Sequence, residues 1–282
     1  MDSLPSCVLE CLAGAVQNSS CTLSDFNCIC RDTQLNAQVK PCILQSCTVK
    51  EALSAQRFSY TTCKYPTSND VGIIHIVNIV GIIVAILSVS LRVAGRIVSS
   101  NMGSDDYTIV AALFTAVAIA GVGFPLSSQG LGRDIWMISF ANITKTLKLF
   151  FIEEVLYVIC IAMIKASMLL LYLRLFPSRT LRIAVLFTLT FIIAWGVASF
   201  FGELFSCSPI HYYWQRWDGE HKGKCVNHNA LLLSHAITNI VLDVVVIGLP
   251  LPTLLKLRVS LEKRIGLCLM FAVGFVYVHH PP

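Results

Sequence analysis

Near the N-terminus, the stretch CTLSDFNCIC places three thiols, Cys21, Cys28 and Cys30, around a single carboxylate, Asp25. Reduced, such a set can ligate a metal. Oxidised, the sulfurs become cross-links, and Asp25 is left either to cap a helix or to serve alone as a hard oxygen donor. Cys7, Cys11, Cys42, Cys47 and Cys63 bring the set to eight of the twelve cysteines in the chain, all within the first 63 residues. Zinc fingers use paired C-x2-C spacings, and none occurs here. An even, dense set in a segment too short for a large core reads instead as a disulfide framework formed in an oxidising compartment.

Cys7 and Cys11 stand one helical turn apart, and Cys42 and Cys47 are similarly spaced. If those segments pack antiparallel, the bridges nest as Cys7–Cys47 and Cys11–Cys42, leaving Cys21–Cys28 and Cys30–Cys63. Eight cysteines allow on the order of a hundred pairings, so spacing leaves the others open. TVKE, Thr48 to Glu51, is a capping box, and TLSD, Thr22 to Asp25, resembles one. In that reading Asp25 is an acid in a first helical turn, favoured by the dipole.

Elsewhere, chemistry-bearing residues are sparse. Asn239 and Asp243 share one helix face inside an apolar run and read as an interhelical contact or a ligand site. Lys165 has the amine a retinal Schiff base needs, but it lies about two turns before Arg174 and reads better as a snorkelling side chain. Glu153 and Glu154 read as solvated, and His75, Asn78, His211 and His235 are spaced too irregularly for a metal cluster. No nucleophile–base–orienter set, phosphate loop or metal triad is visible, so the expectation is a protein that is not an enzyme.

The elements that position these residues follow from composition. Of 282 residues, 55% are hydrophobic and 13% charged, with a mean hydropathy of +0.71; this is the signature of a membrane protein. The net charge of +5 is spread along the chain, so nucleic acid is excluded as a partner. YPTSND marks a turn-prone linker at 66–70, between a cysteine-rich module (1–65) and a membrane section (71–282). Runs of roughly 20 apolar residues predict spans at Val71–Leu91, Tyr107–Pro125, Phe150–Leu173, Leu181–Phe205 and Ala230–Leu251. A sixth begins near Leu261 and stops short at HHPP, as if the product were truncated.

With the module outside, the inner loops contain nine basic residues, among them Arg92, Arg96, Arg174 and Lys256, against six in the outer loops, among them Lys145 and Lys148. Glycosylation sequons at Asn18 and Asn142 fall on the outer side, and Cys207 and Cys225 share an outer loop where they can pair. No signal peptide is visible, which leaves the first span to translocate the N-terminus or the true start upstream.

The eight cysteines, with an acid four residues after the third and a C-x-C following, resemble the CFEM domain of fungal extracellular proteins over residues 3 to 65. That resemblance implies the same nested pairing, and makes Asp25 the axial ligand of ferric haem, with Leu23, Phe26 and Ile29 as an apolar platform. A carboxylate suits oxidised iron better than reduced iron.

DDYTIVAA, GLGRDIW, KASMLLLYLRLF, CSPIHYYW and LPLPTLLKL, in that order, resemble the fungal rhodopsin-like membrane domain of Pth-type receptor-like proteins. That family implies seven helices and a cytoplasmic tail, of which six helices are present here. The expectation is therefore all-α: a disulfide-stapled helical module followed by a polytopic helical bundle. Its implied role is a multi-pass plasma-membrane receptor with the module extracellular. Implied partners are lipid, an extracellular small-molecule or surface ligand and, in full-length relatives, an intracellular signalling partner. The alternative is a haem-capture or iron-acquisition relay anchored by its bundle.

Overall fold

A computed structural model describes residues 4–256, and the expected sixth span lies outside the described residues. The regular elements of the described chain are helices apart from one two-stranded pairing and an isolated bridge between Asn69 and Arg133, and the chain divides into two compact units. Among the described residues, the first comprises 4–81, 120–153 and 207–225, and the second comprises 82–119, 154–206 and 226–256.

In the first unit, α1 (Ser6–Val16), α2 (Phe26–Arg31), α3 (Thr33–Ser46) and α4 (Val49–Cys63) form the cysteine-rich module. Local chemistry sets each start. Asp32 accepts from the amides of Gln34 and Leu35 at 3.0 Å each. Thr48 and Glu51 form the capping box expected from TVKE. The buried core is small: Leu12, Ala15, Cys21, Ile29 and Leu35. A core of that size cannot by itself offset the ordering entropy of some sixty residues. Cross-links supply the rest: Cys7–Cys47 and Cys11–Cys42 tie α1 to the C-terminal part of α3, Cys21–Cys28 closes the loop into α2, and Cys30–Cys63 ties α2 to α4.

Within the first unit, the linker and the module also meet two later segments of the chain. The Asp70 amide donates to the Gly132 carbonyl at 2.8 Å, and the Ser68 amide to Asp134 at 2.9 Å. Tyr60 of α4 packs on Trp136, ring centroids 4.8 Å apart. Lys50 pairs with Glu220 at 2.7 Å and lies 3.6 Å from Asp218. That last segment is closed by β1 (Cys207–Ser208) pairing with β2 (Lys224–Cys225), with Cys207 bonded to Cys225 and the short helix α9 (Tyr212–Gln215) between them.

Among the described residues, five helices are long and apolar enough to cross a membrane: α5 (Val71–Val98), α6 (Ser104–Gln129), α7 (Phe140–Leu175), α8 (Arg179–Leu204) and α10 (His228–Gly248), the last continuing apolar to Thr253. The last element among the described residues is α11 (Leu251–Lys256). Their outward faces are large and apolar, as lipid-facing surfaces must be. The first three pass through both units. In the second unit the core is Leu169, Tyr172, Leu181, Val185, Ile192, Leu242 and Val246, contributed by α7, α8 and α10. One expectation changes here: α7 begins at Phe140, ten residues before the span read from hydropathy, so Lys145 and Lys148 are helical rather than loop residues. Lys148 lies 5.6 Å from the centroid of the Trp214 ring.

Candidate functional site

In the module, Asp25 is exposed and is itself the N-cap of α2, its carboxylate accepting from the Cys28 amide at 3.1 Å. This corrects the reading of TLSD as a capping box with Asp25 in the first turn: the N-cap is Asp25 rather than Thr22, the helix starts three residues later, and Thr22 faces Ser24 instead. A cap uses one lone pair of one carboxylate oxygen, so the group retains acceptor capacity. Next to it lies a cavity of about 470 Å³, walled by all four module helices, in the volume range of small-molecule sites. Phe26 and Ile29 line it, together with Val8, Val39 and Phe58. Leu23 does not line it and is partly exposed. Asn18 is exposed just after α1, whereas Asn142 is half-buried in the first turn of α7.

Beside the module, Asp218 carries the clearest electrostatic signature outside the spans. Burial pushes its carboxyl up, but His221 at 3.1 Å, the Glu220 amide and Lys50 outweigh burial and hold it below the usual range. Lys50 is raised, chiefly by its hydrogen bond to Glu220.

In the second unit the polar side chains are paired in a way hydropathy does not reveal. Asp105 and Asp106, in the first turn of α6, are almost wholly buried. Arg92 reaches Asp105 at 2.8 Å and Asp106 at 3.2 Å, and Arg96 lies 3.8 Å from Asp106. Arg174 lies 3.2 Å from Asp105 and 3.3 Å from Asp106. Arginines read as loop charges thus join α5, α6 and α7 into one ionic knot. Its close quarters explain Gly103, where a Cβ would sit 2.6 Å from the Arg174 guanidinium.

Lys165 does not snorkel. It is 4% exposed and forms an ion pair with Asp243, while its amine lies 3.4 Å from the Asn239 carbonyl. The face carrying Asn239 and Asp243 is therefore an interhelical contact between α10 and α7, made with a partner that spacing on one helix cannot name. The imidazoles are scattered: His75 meets Ser127 at 3.2 Å, His235 stacks on Trp195, and His211 is exposed. Asn78 donates to the Ala120 carbonyl at 3.1 Å.

Two further corrections concern the acids of α7. Glu153 and Glu154 are half-buried rather than solvated, because the helix extends well before them. Glu154 also meets Glu203 of α8 and His228 of α10, with one ligand atom of each within 4.8 Å of the others. Neither Glu203 nor His228 was singled out by sequence. They lie far from Glu154 along the chain, and no spacing rule connects them. Cys7, Cys47 and Glu51 also come together, but the two sulfurs are spent on a disulfide.

Comparison with known proteins gives two family matches: the fungal rhodopsin domain over residues 91–280 and the CFEM domain over residues 1–64. A polyenoic acids biosynthesis gene cluster protein of Metarhizium anisopliae is 29% identical over 198 residues, covering 68% of this chain and 53% of the relative. A SAT4 family membrane protein of Emericella nidulans is 31% identical over 149 residues, covering 52% of this chain and 38% of the relative. A GPI-anchored hemophore of Arthroderma benhamiae is 31% identical over 64 residues, covering 22% of this chain and 34% of the relative. The chain spans about half the length of the first of these relatives and less of the others. No solved structure matches.

Proposed function

We propose that this chain, which belongs to the fungal rhodopsin domain family and carries a CFEM domain at residues 1–64, is a receptor-like protein of the fungal plasma membrane. The observation that carries the reading is the pairing of a cross-linked module around a cavity of about 470 Å³ with five helices, among the described residues, fit to span a bilayer. The module faces outward, takes up a small apolar or surface-derived ligand, and the bundle passes that event to an intracellular partner without a catalytic step. Oxidised cysteines and the sequon at Asn18 support the outward placement.

Ferric haem is the ligand class that best suits the module's chemistry. Phe26 and Ile29 offer apolar contact, and Asp25 beside them is an exposed carboxylate with lone pairs to spare. When bound, haem would bring a ferric centre for which that carboxylate is a matched donor. Titration of the full chain with ferric haem tests this. A Soret shift in wild type that is lost in Asp25→Ala supports ligation, and an identical shift in both removes Asp25 from the site.

A second reading, haem capture with the bundle chiefly an anchor, is favoured by the module's likeness to the hemophore of Arthroderma benhamiae. It predicts transfer of haem from the loaded chain to a soluble acceptor on reduction of the iron, which the receptor reading does not require.

A further inference from the structure

We propose that Glu154, Glu203 and His228 form a binding site for one divalent transition-metal cation of the Zn2+ class. Three elements distant in sequence bring the donors together. Glu154 lies midway along α7, Glu203 is in the last turn of α8, and His228 is the first residue of α10, whose start is fixed by Asn227 accepting from the Ala230 amide at 3.2 Å. His228 Nε2 lies 3.5 Å from Glu154 Oε1.

Glu203 is the observation that points to a ligand. It is 3% exposed, and its Oε2 has no hydrogen-bond partner among the described residues. A buried carboxylate without a partner costs several kcal/mol by order of magnitude. The last turn of a helix, where the dipole is negative, is the least favourable place for an anion and a favourable one for a cation. The neighbouring Glu154 adds like-charge repulsion. One imidazolium would balance only one of the two carboxylates, whereas a dication balances both.

Donor geometry fits a small ion. Ligands at about 2.0–2.2 Å from a common Zn2+ lie roughly 3–4 Å apart, so donors already within 4.8 Å need only a slight inward turn. Two carboxylate oxygens and one imidazole nitrogen form a borderline set suited to Zn2+ or its neighbours. Ca2+ wants six or more oxygens, and thiolate-seeking metals find no sulfur among these donors. Three protein ligands leave a position for water, and the buried Ser206 hydroxyl, one turn from Glu203, has no partner among the described residues and can orient a ligand oxygen. Occupied, the site would tie α7, α8 and α10 together.

The test uses the full chain in detergent, stripped by chelation and titrated with Zn2+ alone against a chromophoric chelator. The expected result is one Zn2+ per chain and a raised thermal midpoint. Glu203→Gln and His228→Ala should each weaken binding by at least about 10–100-fold, the range seen when even an outer partner is lost, with helical circular dichroism unchanged. Asp25→Ala should bind Zn2+ as wild type does, which separates this site from the module. Co2+ should give visible bands of nitrogen–oxygen coordination that His228→Ala alters, a readout that stands even if Glu203→Gln loses helicity. Absence of binding in wild type, or unchanged affinity in both variants, overturns the proposal.

Discussion

The cysteine-rich module and the second unit meet the same requirement by opposite means. The module has few buried apolar side chains and holds its helices with four disulfides. The second unit has no disulfide among its described residues and holds buried charges against one another: Arg92, Arg96 and Arg174 against Asp105 and Asp106, and Lys165 against Asp243. Solvent explains the difference. In water, a small domain lacks enough apolar area, so limiting the unfolded chain is the effective remedy. In lipid, apolar contact between helices gains little over apolar contact with acyl chains, and polar groups that must find partners become the specific contacts.

The largest expected effect breaks the comparison on the membrane side. Asp243→Leu leaves Lys165 buried and uncompensated, which costs about 3–5 kcal/mol. The double change Lys165→Met with Asp243→Leu should recover most of that loss, because replacing a buried pair by apolar residues is often neutral. Thermal unfolding in detergent reads both. If the double variant is no better than the single one, the pair is not the contact described above.

Next comes the covalent side. Replacing Cys11 and Cys42 together by Ser removes a bridge that spans 31 residues of sequence and should destabilise the module by about 2–4 kcal/mol. Limited proteolysis should then cut within residues 4–65 while α7 and α8 stay protected. Equal loss of protection in both would mean that the module and the second unit unfold as one.

The same contrast decides what could be read from sequence. The eight cysteines, the capping box at Thr48 and the five apolar runs are local or compositional signals, and each marks a real element. Asp25 was ambiguous because a cap and a metal ligand ask for the same short carboxylate at a helix start. Hydropathy set the start of α7 ten residues late, since Lys145 and Lys148 lower the apolar average although they continue the helix. The ionic knot was hidden in plain view: DDY opens a span, and an aspartate pair at a helix N-terminus looks like dipole compensation until Arg174, 68 residues beyond Asp106, is seen to reach it. Glu203 and His228 gave no signal at all, because convergence of three helices is a tertiary fact.

The smallest effect sharpens the aqueous side. Because the native Asp218 carboxyl is held below its usual range, its contribution is present at pH values above the ordinary carboxylate range and is lost as pH falls through the lowered native value. Lys50 has the opposite sense: raised in the native state, it contributes below the usual lysine range and loses that contribution as pH rises through its native value. The Lys50–Glu220 contact is open to water, so salt should weaken it. Asp218→Asn should therefore lower the thermal stability of the module modestly at neutral pH and by progressively less in acid. A difference from wild type that is constant across the acid range would show that Asp218 acts through packing rather than charge. Ion pairs beside the module would then contribute little next to its disulfides, and the contrast with the paired charges of the second unit would be sharper still.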